Sequence, residues 1–390
     1  PDRPASWPER GIDRPMPTTP TSPAATPSLL SVVLAAGKGT RMRSNLPKVL
    51  HKVGGLSMLG HTLRAASDAG SGRIAVVIGP GMDDVRAEVA RLAPAAMVYV
   101  QHTQHGTADA VLAAREAIAS HAGDVLVLYA DTPLIRSRTL IGLRGLLAAG
   151  AGVGVLGFAP ADPTGYGRLL TDATGRLTAI REEKDASETE RAVGLCNSGV
   201  MAFRCQDLAG LLGRIGNANA KGEYYLTDAV ELGRAVGLEA RIVVGEESEV
   251  LGVNSRVQLA EAEAVFQGRA RHAAMTEGAT LIAPETVWFS YDTQLGRDVI
   301  VEPNVFFGPG VVVADGVEIK ANCHFEQARV GTGARIGPFA RLRPGADLGA
   351  DVHVGNFVEV KNVTMEAGAK ANHLAYHGDG RVGPKANIGA

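Results

Sequence analysis

The sequence has few aromatic residues and no excess of charge of either sign. Aromatic residues make up 5% of the 390 residues, and the formal net charge is -2. This balance gives no reason to expect nucleic acid as a partner, because proteins that bind nucleic acids usually carry a strong basic patch. No apolar stretch approaches the ~18 residues that a membrane-spanning helix needs. The N-terminus also does not have the basic-then-apolar pattern of a signal peptide. We therefore expect no membrane span.

Cysteine is scarce as well. The three cysteines, Cys196, Cys205 and Cys323, form no C-x-x-C pair and have no histidine at metal-ligand spacing. The simplest interpretation is reduced thiols in a cytoplasmic enzyme, and a disulfide between Cys196 and Cys205 is the alternative. With 45% hydrophobic residues, the chain is able to bury a sizeable core without disulfides.

Proline is concentrated at one end of the chain. Residues 1–28 contain eight of the 20 prolines and have no apolar periodicity, so we expect this tail to be disordered. The chain does not begin with methionine, and Met16 is a candidate for the true start. The 48 glycines are many for this length and indicate frequent tight turns, as in a repeat protein.

Short apolar runs alternate with helix-like stretches between residues 29 and 254. This alternation predicts a doubly wound α/β domain, in which ligands bind beyond the carboxyl ends of the strands. The region from Ser255 to Gly278 is rich in Ala, Glu, Arg and Gln, and we interpret it as a connecting helix with an apolar face of Val257, Ala260, Ala264 and Val265. The predicted strands are 29–34, 74–78, 96–100 and 124–129, and the predicted helices are 82–92 and 107–120.

The segment from Leu34 to Lys48 combines two glycines with several cations directly after the first predicted strand. Gly37 and Gly39 allow the main chain to approach a phosphate, and the free N–H groups of such a turn point at an anion. Arg41 and Lys48 are able to neutralise charge on a polyphosphate. The segment therefore predicts a binding loop for a nucleoside triphosphate.

Two better-known phosphate motifs do not fit this segment. Met42 stands where a dinucleotide fingerprint has its third glycine, and no G-x-x-x-x-G-K-[ST] sequence occurs. Asp131 follows the strand predicted for residues 124–129, where it caps the next turn or binds Mg²⁺. Mg²⁺ prefers oxygen ligands and usually takes one or two protein groups together with substrate phosphates.

A six-residue period begins after residue 295. Aliphatic residues or cysteine recur at this spacing with one extra residue after Cys323, and neither an α-helix nor an amphipathic strand has such a period. Self-similarity at six residues predicts a hexapeptide β-helix. The repeat resembles that of proteins that form left-handed parallel β-helices and are commonly trimeric. Its positions are Val299, Val305, Val311, Val317, Cys323, Val330, Ile336, Leu342, Leu348, Val354, Val360, Val382 and Ile388.

Several strings carry a family resemblance. Residues 34–48 resemble the L-x-x-G-x-G-T-R-M…P-K signature of sugar-nucleotide pyrophosphorylases, and residues 101–107 resemble the base-reading segment of uridylyl and thymidylyl transferases. Polar strings at 162–168, 180–186, 196–199 and 221–228 resemble sugar-pocket loops. Together with the hexapeptide tail, they make residues 30–390 similar to the bacterial family of bifunctional N-acetylglucosamine-1-phosphate uridyltransferases and glucosamine-1-phosphate N-acetyltransferases.

The sequence patterns and the resemblance together divide the chain into four parts. They are the Pro-rich tail (1–28), a Rossmann-like uridyltransferase domain (29–254), a linker helix (255–280) and a left-handed β-helix that is incomplete (281–390).

The resemblance also implies the residues of a first site. Asp131 and Asn254 would bind Mg²⁺, and Lys48 and Arg41 would assist catalysis. The family often has glycine where this chain has Ala130, and we expect little effect. Gly167, Glu182 and Asn197 would hold the sugar, with Tyr225 and Thr227 nearby. The nucleotide would be held by Leu34, Ala35, Ala36, Gly37, Lys48, Gln101, Gly106, Thr107, Tyr129, Ala130 and Asp131.

The resemblance implies a second site on the β-helix, with acetyl-CoA as co-substrate. His373 would be the general base, because imidazole titrates near neutrality and can take a proton from an attacking amine. Arg343 and Lys361 would bind the phosphate of glucosamine 1-phosphate. Tyr376, Asn387 and Ala390 would complete the pocket. The chain stops within the repeat, so we expect acetyl transfer to be impaired, either in a fragment of a longer protein or in a form that has lost this activity.

Two other interpretations remain open at this stage. The first is a nucleotidyltransferase for a different sugar, in which the β-helix only forms the trimer. The second is a non-catalytic assembly subunit, which would be expected to have lost Lys48, Asp131 or Arg41, and all three are present. The preferred reaction joins UTP and N-acetylglucosamine 1-phosphate into UDP-N-acetylglucosamine and releases pyrophosphate.

Overall fold

The structure is a computed structural model that describes residues 28–389. The expectations for residues 1–27, including Met16 as the start, and for Ala390 lie outside the described residues. Ser28, which the composition assigns to the tail, is instead the first residue of strand β1. In the part of the chain that is described, no helix combines the length and apolar character needed to cross a bilayer.

The first part of the chain alternates strands and helices, as predicted. The helices are α1 (Met58–Asp68), α2 (Asp83–Leu92), α3 (Thr107–Ala113), α4 (Arg115–Ala119), α5 (Ser137–Ala148), α6 (Glu188–Arg191), α7 (Cys205–Leu212), α8 (Ala229–Ala235) and α9 (Arg256–Thr276). The strands are β1 (Ser28–Leu34), β2 (Lys52–Val53), β3 (Leu56–Ser57), β4 (Arg73–Ile78), β5 (Met97–Val100), β6 (Gly123–Tyr129), β7 (Val153–Phe158), β8 (Arg168–Thr171), β9 (Leu177–Arg181), β10 (Cys196–Arg204) and β11 (Ala240–Val244).

Strand β1 lies inside the main sheet, whose order is β11-β7-β10-β6-β1-β4-β5. It pairs in parallel with both β4 and β6. Its apolar residues alternate between two cores on opposite faces, with Leu30 and Val32 in one and Leu29 and Val33 in the other. Burial on both faces explains the continuous apolar run of this strand. The doubly wound domain is confirmed, although β10 runs antiparallel to both of its neighbours, β6 and β7.

Two details of the predicted helices are wrong. The helix predicted over residues 107–120 is divided into α3 and α4 at Ala114, where φ is -92° and ψ is 19°. In α9, three of the four residues at the predicted apolar spacing, Val257, Ala260 and Ala264, are exposed. The buried residues of α9 are Ala262 and Gln267.

Helix α9 is attached to the β-helix by a polar side chain. The Gln267 Nε2 donates to the Phe289 carbonyl (2.7 Å), and the Phe289 N–H donates to the Gln267 Oε1 (2.8 Å). The amide of Gln267 thus pairs with a backbone as a neighbouring strand would. A search for apolar spacing misses this contact because a buried glutamine side chain replaces an apolar one.

The C-terminal part is a left-handed parallel β-helix, which confirms the architecture predicted from the hexapeptide period. Equivalent strands on successive coils are 17 or 18 residues apart, as in the pairs Phe306↔His324 and Arg335↔His353 (18) and Val312↔Arg329 (17). Its strands are β12 (Thr280–Leu281), β13 (Gln294–Leu295), β14 (Ile300–Val301), β15 (Phe306–Phe307), β16 (Val312–Val313), β17 (Glu318–Ile319), β18 (His324–Phe325), β19 (Arg329–Val330), β20 (Arg335–Ile336), β21 (Arg341–Leu342), β22 (Asp347–Leu348), β23 (His353–Met365), β24 (Lys370–Val382) and β25 (Asn387–Ile388).

The phase of the repeat differs from the prediction. Each repeat from residue 299 to residue 360 buries two residues that are two positions apart. The predicted position is the first of the pair up to Cys323, as in Val305 and Phe307, and the second of the pair from Val330 onward, as in Ala334 and Ile336. The irregularity is a shortened step, because Phe325 is followed in its own series by Val330, and Cys323 is followed by Ala328. The extra residue predicted after Cys323 therefore comes from joining two different series into one.

The three cysteines are free and buried, in agreement with the simplest interpretation of the sequence. Burial raises the pKa of the Cys323 thiol to about 11, so this side chain stays protonated in the interior of the β-helix. No disulfide joins Cys196 to Cys205.

The turn between β2 and β3 predicts a specific effect of a methyl group on stability. Gly54 has a φ of 53°, and a Cβ there would lie 2.2 Å from the Phe266 ring of α9. We expect Gly54→Ala to lower the free energy of unfolding by about 2 kcal/mol, from backbone strain and overpacking together. Gly268→Ala is the matched control, because Gly268 lies in α9 and a Cβ there would have no neighbouring group within 4 Å. We expect Gly268→Ala to raise the free energy of unfolding by up to ~1 kcal/mol, because alanine has a higher helix propensity than glycine. Urea unfolding measures the stability of both variants. Equal stabilities would contradict the close contact of a Cβ at position 54 with the Phe266 ring.

Candidate active site

The Gly-rich loop leaves the sheet at Leu34 and stays attached to its neighbours. The Ala35 N–H donates to the Val77 carbonyl (2.7 Å), and the Ala130 N–H donates to the Leu34 carbonyl (3.0 Å). Ala35, Ala36 and Gly37 then lead into a short 3-10 helix, Thr40–Met42, on which the Arg41 side chain is exposed. The loop therefore begins at the carboxyl end of β1, the edge where the sequence predicts the phosphate site.

Gly39 allows the loop to close over Lys48. Its φ is 59°, and a Cβ at this position would lie 2.4 Å from the Lys48 Cβ. Such a separation is shorter than any ordinary carbon–carbon contact, so only glycine fits without movement of the lysine. The nearest atom to a Cβ on Gly37 would be the Lys48 Nζ, at 4.0 Å. Both glycines thus lie against the same lysine side chain.

The Lys48 ammonium joins two residues that are distant in the sequence. It donates to the Asp131 Oδ2 (2.5 Å) and to the Asn254 Oδ1 (2.9 Å), and Lys48 is only 8% exposed. The Val253 N–H donates to the Asp131 carbonyl (2.9 Å), so the backbones of the two oxygen-bearing segments are also connected. The structure therefore brings Lys48 into contact with the two residues that the family resemblance implies as Mg²⁺ ligands.

The oxygens of Asp131 and Asn254 form a donor set that suits a hard cation. A carboxylate and an amide carbonyl are typical ligands of Mg²⁺, which also keeps water and phosphate oxygens in its coordination shell. Within residues 28–389, no cluster of three or more His, Cys, Asp or Glu side chains has the arrangement to hold a metal by itself. Two protein oxygens therefore fit a metal that is shared with a phosphate ligand.

The predicted base-reading segment is packed against the Gly-rich loop. The Gln101 Nε2 donates to the Asp109 Oδ2 (2.7 Å) and to the Gly106 carbonyl (3.3 Å). The Gln104 Nε2 donates to the Ala36 carbonyl (2.8 Å) and so connects the two segments directly. Sequence reasoning misses Gln104 as a site residue, although it lies within the string 101–107 that carries the resemblance.

Thr107 and Tyr129 close one side of the same region. The Thr107 Oγ1 accepts a hydrogen bond from the Leu226 N–H (2.9 Å). Tyr129 lies at the end of β6, and burial raises the pKa of its hydroxyl, so the phenol stays neutral. Gly199 makes room for this ring, because a Cβ there would lie 2.8 Å from the Tyr129 Cε2.

The four predicted sugar-binding strings also meet. The Asn197 N–H donates to the Gly167 carbonyl (2.8 Å), and the Asn197 Oδ1 accepts from the Gly199 N–H (3.0 Å). The Thr227 Oγ1 donates to the Glu182 Oε1 (3.4 Å), and burial raises the pKa of the Glu182 carboxyl. These contacts gather carbonyl, amide and carboxyl groups from the residue before β8, the residue after β9, strand β10 and the Leu226–Asp228 turn.

Tyr225 has a buried hydroxyl beside this group. The residue is 7% exposed, its hydroxyl has no hydrogen-bond partner in the structure, and burial raises its pKa to about 12. A buried hydroxyl without a partner loses the free energy of a hydrogen bond, typically about 1–3 kcal/mol. The group is therefore ready to bond a polar ligand that enters the site.

The second set of predicted residues lies on consecutive coils of the β-helix. The Arg343 Nη1 donates to the Glu359 Oε1 (2.7 Å), and Glu359 is in register with Tyr376. His373 is in register with Asn356, and Lys361 with Gly378. The Asn387 Oδ1 accepts from the Asn372 Nδ2 (3.0 Å), and Tyr376 is 59% exposed. These residues are exposed or half-buried and lie on two faces of the β-helix, because Tyr376 belongs to the row of Arg341 and Glu359, and Asn387 to the row of His353 and Lys370.

Comparisons with known proteins agree with this organisation. Residues 31–193 match the model of the MobA-like NTP transferase domain. The chain is 63% identical to the bifunctional protein GlmU of Azorhizobium caulinodans and 62% identical to that of Xanthobacter autotrophicus, each over 93% of this chain and 81% of the relative. It is 57% identical to the bifunctional protein GlmU of Bradyrhizobium sp. (strain ORS 278) over the same shares. This chain therefore belongs to the bifunctional GlmU family.

Proposed function

We propose that this protein synthesises UDP-N-acetylglucosamine by transferring a uridylyl group from UTP to N-acetylglucosamine 1-phosphate. The observation that carries the proposal is the contact of the Lys48 ammonium with Asp131 and Asn254 next to the Gly-rich loop. It combines a cation, two hard oxygen donors and a glycine turn at the carboxyl ends of parallel strands. This combination suits a metal-bound triphosphate.

Asp131 and Asn254 would hold Mg²⁺, which supplies positive charge beside the triphosphate when it is bound. The Lys48 ammonium bonds the same two oxygens in the structure, so lysine and metal compete for them. Lys48 has four rotatable bonds in its side chain and is able to turn toward a phosphate oxygen. In this role Lys48 and the exposed Arg41 would neutralise charge that develops during the reaction.

The reaction needs positioning more than acid–base chemistry. A phosphate oxygen of N-acetylglucosamine 1-phosphate forms a bond to the α-phosphorus of UTP, and the bond between the α- and β-phosphates breaks, so that pyrophosphate leaves. The attacking oxygen is already anionic, so no base has to remove a proton. Backbone groups of residues 34–37 would align the phosphates for in-line attack, and water would be excluded by the surrounding loops.

The polar groups around Gln101 and Glu182 would select the substrates. Gln101, Gly106, Thr107 and the segment from Tyr129 to Asp131 would surround the uridine, since an amide offers both a donor and an acceptor to a uracil edge. Gly167, Glu182 and Asn197 would bind the sugar. The buried hydroxyl of Tyr225 and the hydroxyl of Thr227 supply further partners for a ligand that is rich in hydroxyl groups.

We also propose an acetyl transfer from acetyl-CoA to glucosamine 1-phosphate at the β-helix. His373 would take a proton from the sugar amine as its nitrogen attacks the thioester carbonyl, and the CoA thiolate would leave. Arg343 and Lys361 would bind the phosphate, and Tyr376 and Asn387 would bind the sugar. We infer that residues 29–254 and 281–390 act as the two catalytic units, joined by the helix at 255–280.

A homotrimer would cover the exposed residues of this second site. Phe339, Phe357 and Leu374 lie at one corner of successive coils and are 48%, 55% and 69% exposed, respectively. Exposed aromatic and aliphatic groups in a continuous row are typical of an interface.

The free thiols and the expected substrates, UTP and acetyl-CoA, support a cytoplasmic enzyme.

The proposed function is tested by measuring pyrophosphate release from UTP and Mg²⁺ with three sugar phosphates. We expect rapid release with N-acetylglucosamine 1-phosphate and little with glucosamine 1-phosphate or glucose 1-phosphate. Release with glucose 1-phosphate instead would favour a different sugar nucleotidyltransferase. No release with any of them would contradict the proposal and favour a non-catalytic subunit.

Replacement of Lys48 should remove most of the first activity. We expect Lys48→Ala to lower the kcat of pyrophosphate release by ~100-fold or more, the scale of losing one electrostatic stabiliser. Lys52→Ala is the control, because Lys52 is an exposed lysine four residues away on β2. Turnover of a folded Lys48→Ala protein close to that of the Lys52→Ala protein would exclude the proposed role.

The expectation of impaired acetyl transfer is tested by a second assay on the same chain. We expect the release of CoA thiol with glucosamine 1-phosphate to be slow compared with pyrophosphate release, because His373 and Tyr376 are exposed on the β-helix of a single chain. A thiol-release rate equal to the rate of pyrophosphate release would overturn this expectation. His373→Ala should abolish whatever thiol release remains and leave pyrophosphate release unchanged.

We expect the ionised Glu182 carboxyl to lower the free energy of unfolding and to contribute to substrate binding. Burial raises the pKa of its carboxyl, so the folded protein holds this proton more tightly than the unfolded chain does. The wild type is therefore expected to lose stability relative to Glu182→Gln as the pH rises above about 4.5, the ordinary pKa of glutamate. Urea unfolding at pH 5 and pH 8 measures the difference, and Glu190→Gln is the control because the pKa of Glu190 is lowered.

We expect Glu182→Gln to raise the KM for the sugar phosphate. An unchanged KM would exclude the sugar-binding role. A stability difference between the wild type and Glu182→Gln that does not change with pH would show that ionisation of the buried Glu182 carboxyl does not destabilise the fold.

A further inference from the structure

One arginine connects the two ends of the segment that carries Lys48. Arg256 is the first residue of α9 and lies two residues after Asn254. Its Nε donates to the Met42 carbonyl (3.3 Å), and its Nη1 donates to the His51 Nδ1 (3.2 Å). Met42 ends the short helix of the Gly-rich loop, and His51 follows the Lys48–Leu50 turn.

His51 is held firmly enough to serve as an anchor. It is 5% exposed, its N–H donates to the Lys48 carbonyl (3.2 Å), and its own carbonyl accepts from the Met58 N–H (2.9 Å). Because an arginine is always a donor, the Nδ1 of His51 has to be the acceptor, which is possible only for the neutral imidazole. Burial and the Arg256 charge both lower the pKa of His51, in agreement with a neutral ring.

The geometry uses a property that only arginine has. Its planar guanidinium presents separate N–H groups in a rigid fork and so bonds two acceptors in different directions. A lysine at this position would keep the charge but offer a single nitrogen. A neutral side chain would lose both contacts, and the segment 42–51 would then be attached to the start of α9 chiefly through the contact between Lys48 and Asn254.

We propose that Arg256 is a positioning residue for nucleotidyl transfer. It holds the Gly-rich loop and the Lys48 turn at a fixed place relative to Asn254, because Arg256 and Asn254 belong to the same short stretch of chain. This inference rests on the proposed function of the first site. Arg256 acts through Met42 and His51 and is not assigned a contact with substrate.

A purely structural role for Arg256 makes a different prediction. If Arg256 only attached α9 to the domain, its loss would lower the folded fraction and the unfolding temperature, with both KM values unchanged in the remaining folded enzyme. If it positions the loop, its loss weakens UTP binding and slows the chemical step in fully folded protein. The KM for the sugar phosphate stays unchanged, because the sugar strings lie on other elements.

The experiment compares Arg256→Gln, Arg256→Lys, His51→Leu and His51→Asn in the full chain. Each variant is assayed for pyrophosphate release with UTP and the sugar phosphate varied in turn, and for UTP affinity by calorimetry. We expect Arg256→Gln to lower kcat/KM for UTP by ~10-fold or more, since misplacement of reacting groups by about 1 Å costs up to ~100-fold. Arg256→Lys should fall between this variant and the wild type. His51→Asn, which keeps an acceptor near the Nδ1 position, should recover much of the loss seen in His51→Leu.

Arg271→Gln is the matched control. Arg271 lies on the same helix and also donates to two acceptors, the carbonyls of Val287 and Glu285 (2.9 and 3.1 Å), but at the β-helix end. We expect this variant to leave the KM for UTP unchanged. The double variant Arg256→Gln/His51→Leu should be no worse than the poorer single variant, because both remove the same connection.

The outcomes separate this inference from the proposed function. An inactive wild type would contradict the proposed function alone, and the calorimetric affinity for UTP would still test the positioning role. Wild-type kinetics and UTP affinity in folded Arg256→Gln would overturn the inference, as would an equal loss in Arg271→Gln or additive losses in the double variant. If Arg256→Gln does not fold, the comparison of His51→Leu with His51→Asn decides, and equal activities of these two would overturn it.

Discussion

The contact of the Lys48 ammonium with Asp131 and Asn254 is the interaction on which the first site depends. It joins residues that are 83 and 206 positions apart in the chain. A buried ammonium is stable only with nearby oxygen partners, because removal of the charge from water is costly. The Gly-rich loop, the end of β6 and the start of α9 are therefore held at one point by a single side chain. Gly39 makes this possible by leaving room for the lysine.

A second set of contacts connects this point to the β-helix. The turn at Gly54 donates its N–H to the Glu263 Oε2 (2.7 Å), and its carbonyl accepts from the Ser290 Oγ (3.0 Å) and the Tyr291 N–H (2.8 Å). The hairpin that follows Lys48 is thus fixed to both α9 and the first coil. These polar contacts give the linker helix a defined orientation that its weak apolar face would not provide by itself.

Several features of the fold were predictable because they depend on local sequence. Burial of β1 on both faces requires a continuous apolar run, and a β-helix requires an inward-facing residue at a regular interval. The phase of that repeat was harder to predict from the sequence, because the two inward-facing series at Val305 and Phe307 have the same period. The docking of α9 was not predictable from apolar spacing, because the buried Gln267 is polar and its partner, Phe289, lies in another element.

The sequence by itself determined the alternation of strands and helices, the repeat architecture and the residue types of both proposed sites, because glycine turns, apolar periods and family strings are properties of short segments. The tertiary structure alone decided which of those residues meet. The convergence of Lys48, Asp131 and Asn254, and the connection of Met42 and His51 through Arg256, depend on where separate elements pack. Long-range contacts of this kind follow from the folding of the sheet around two cores, which no single segment encodes.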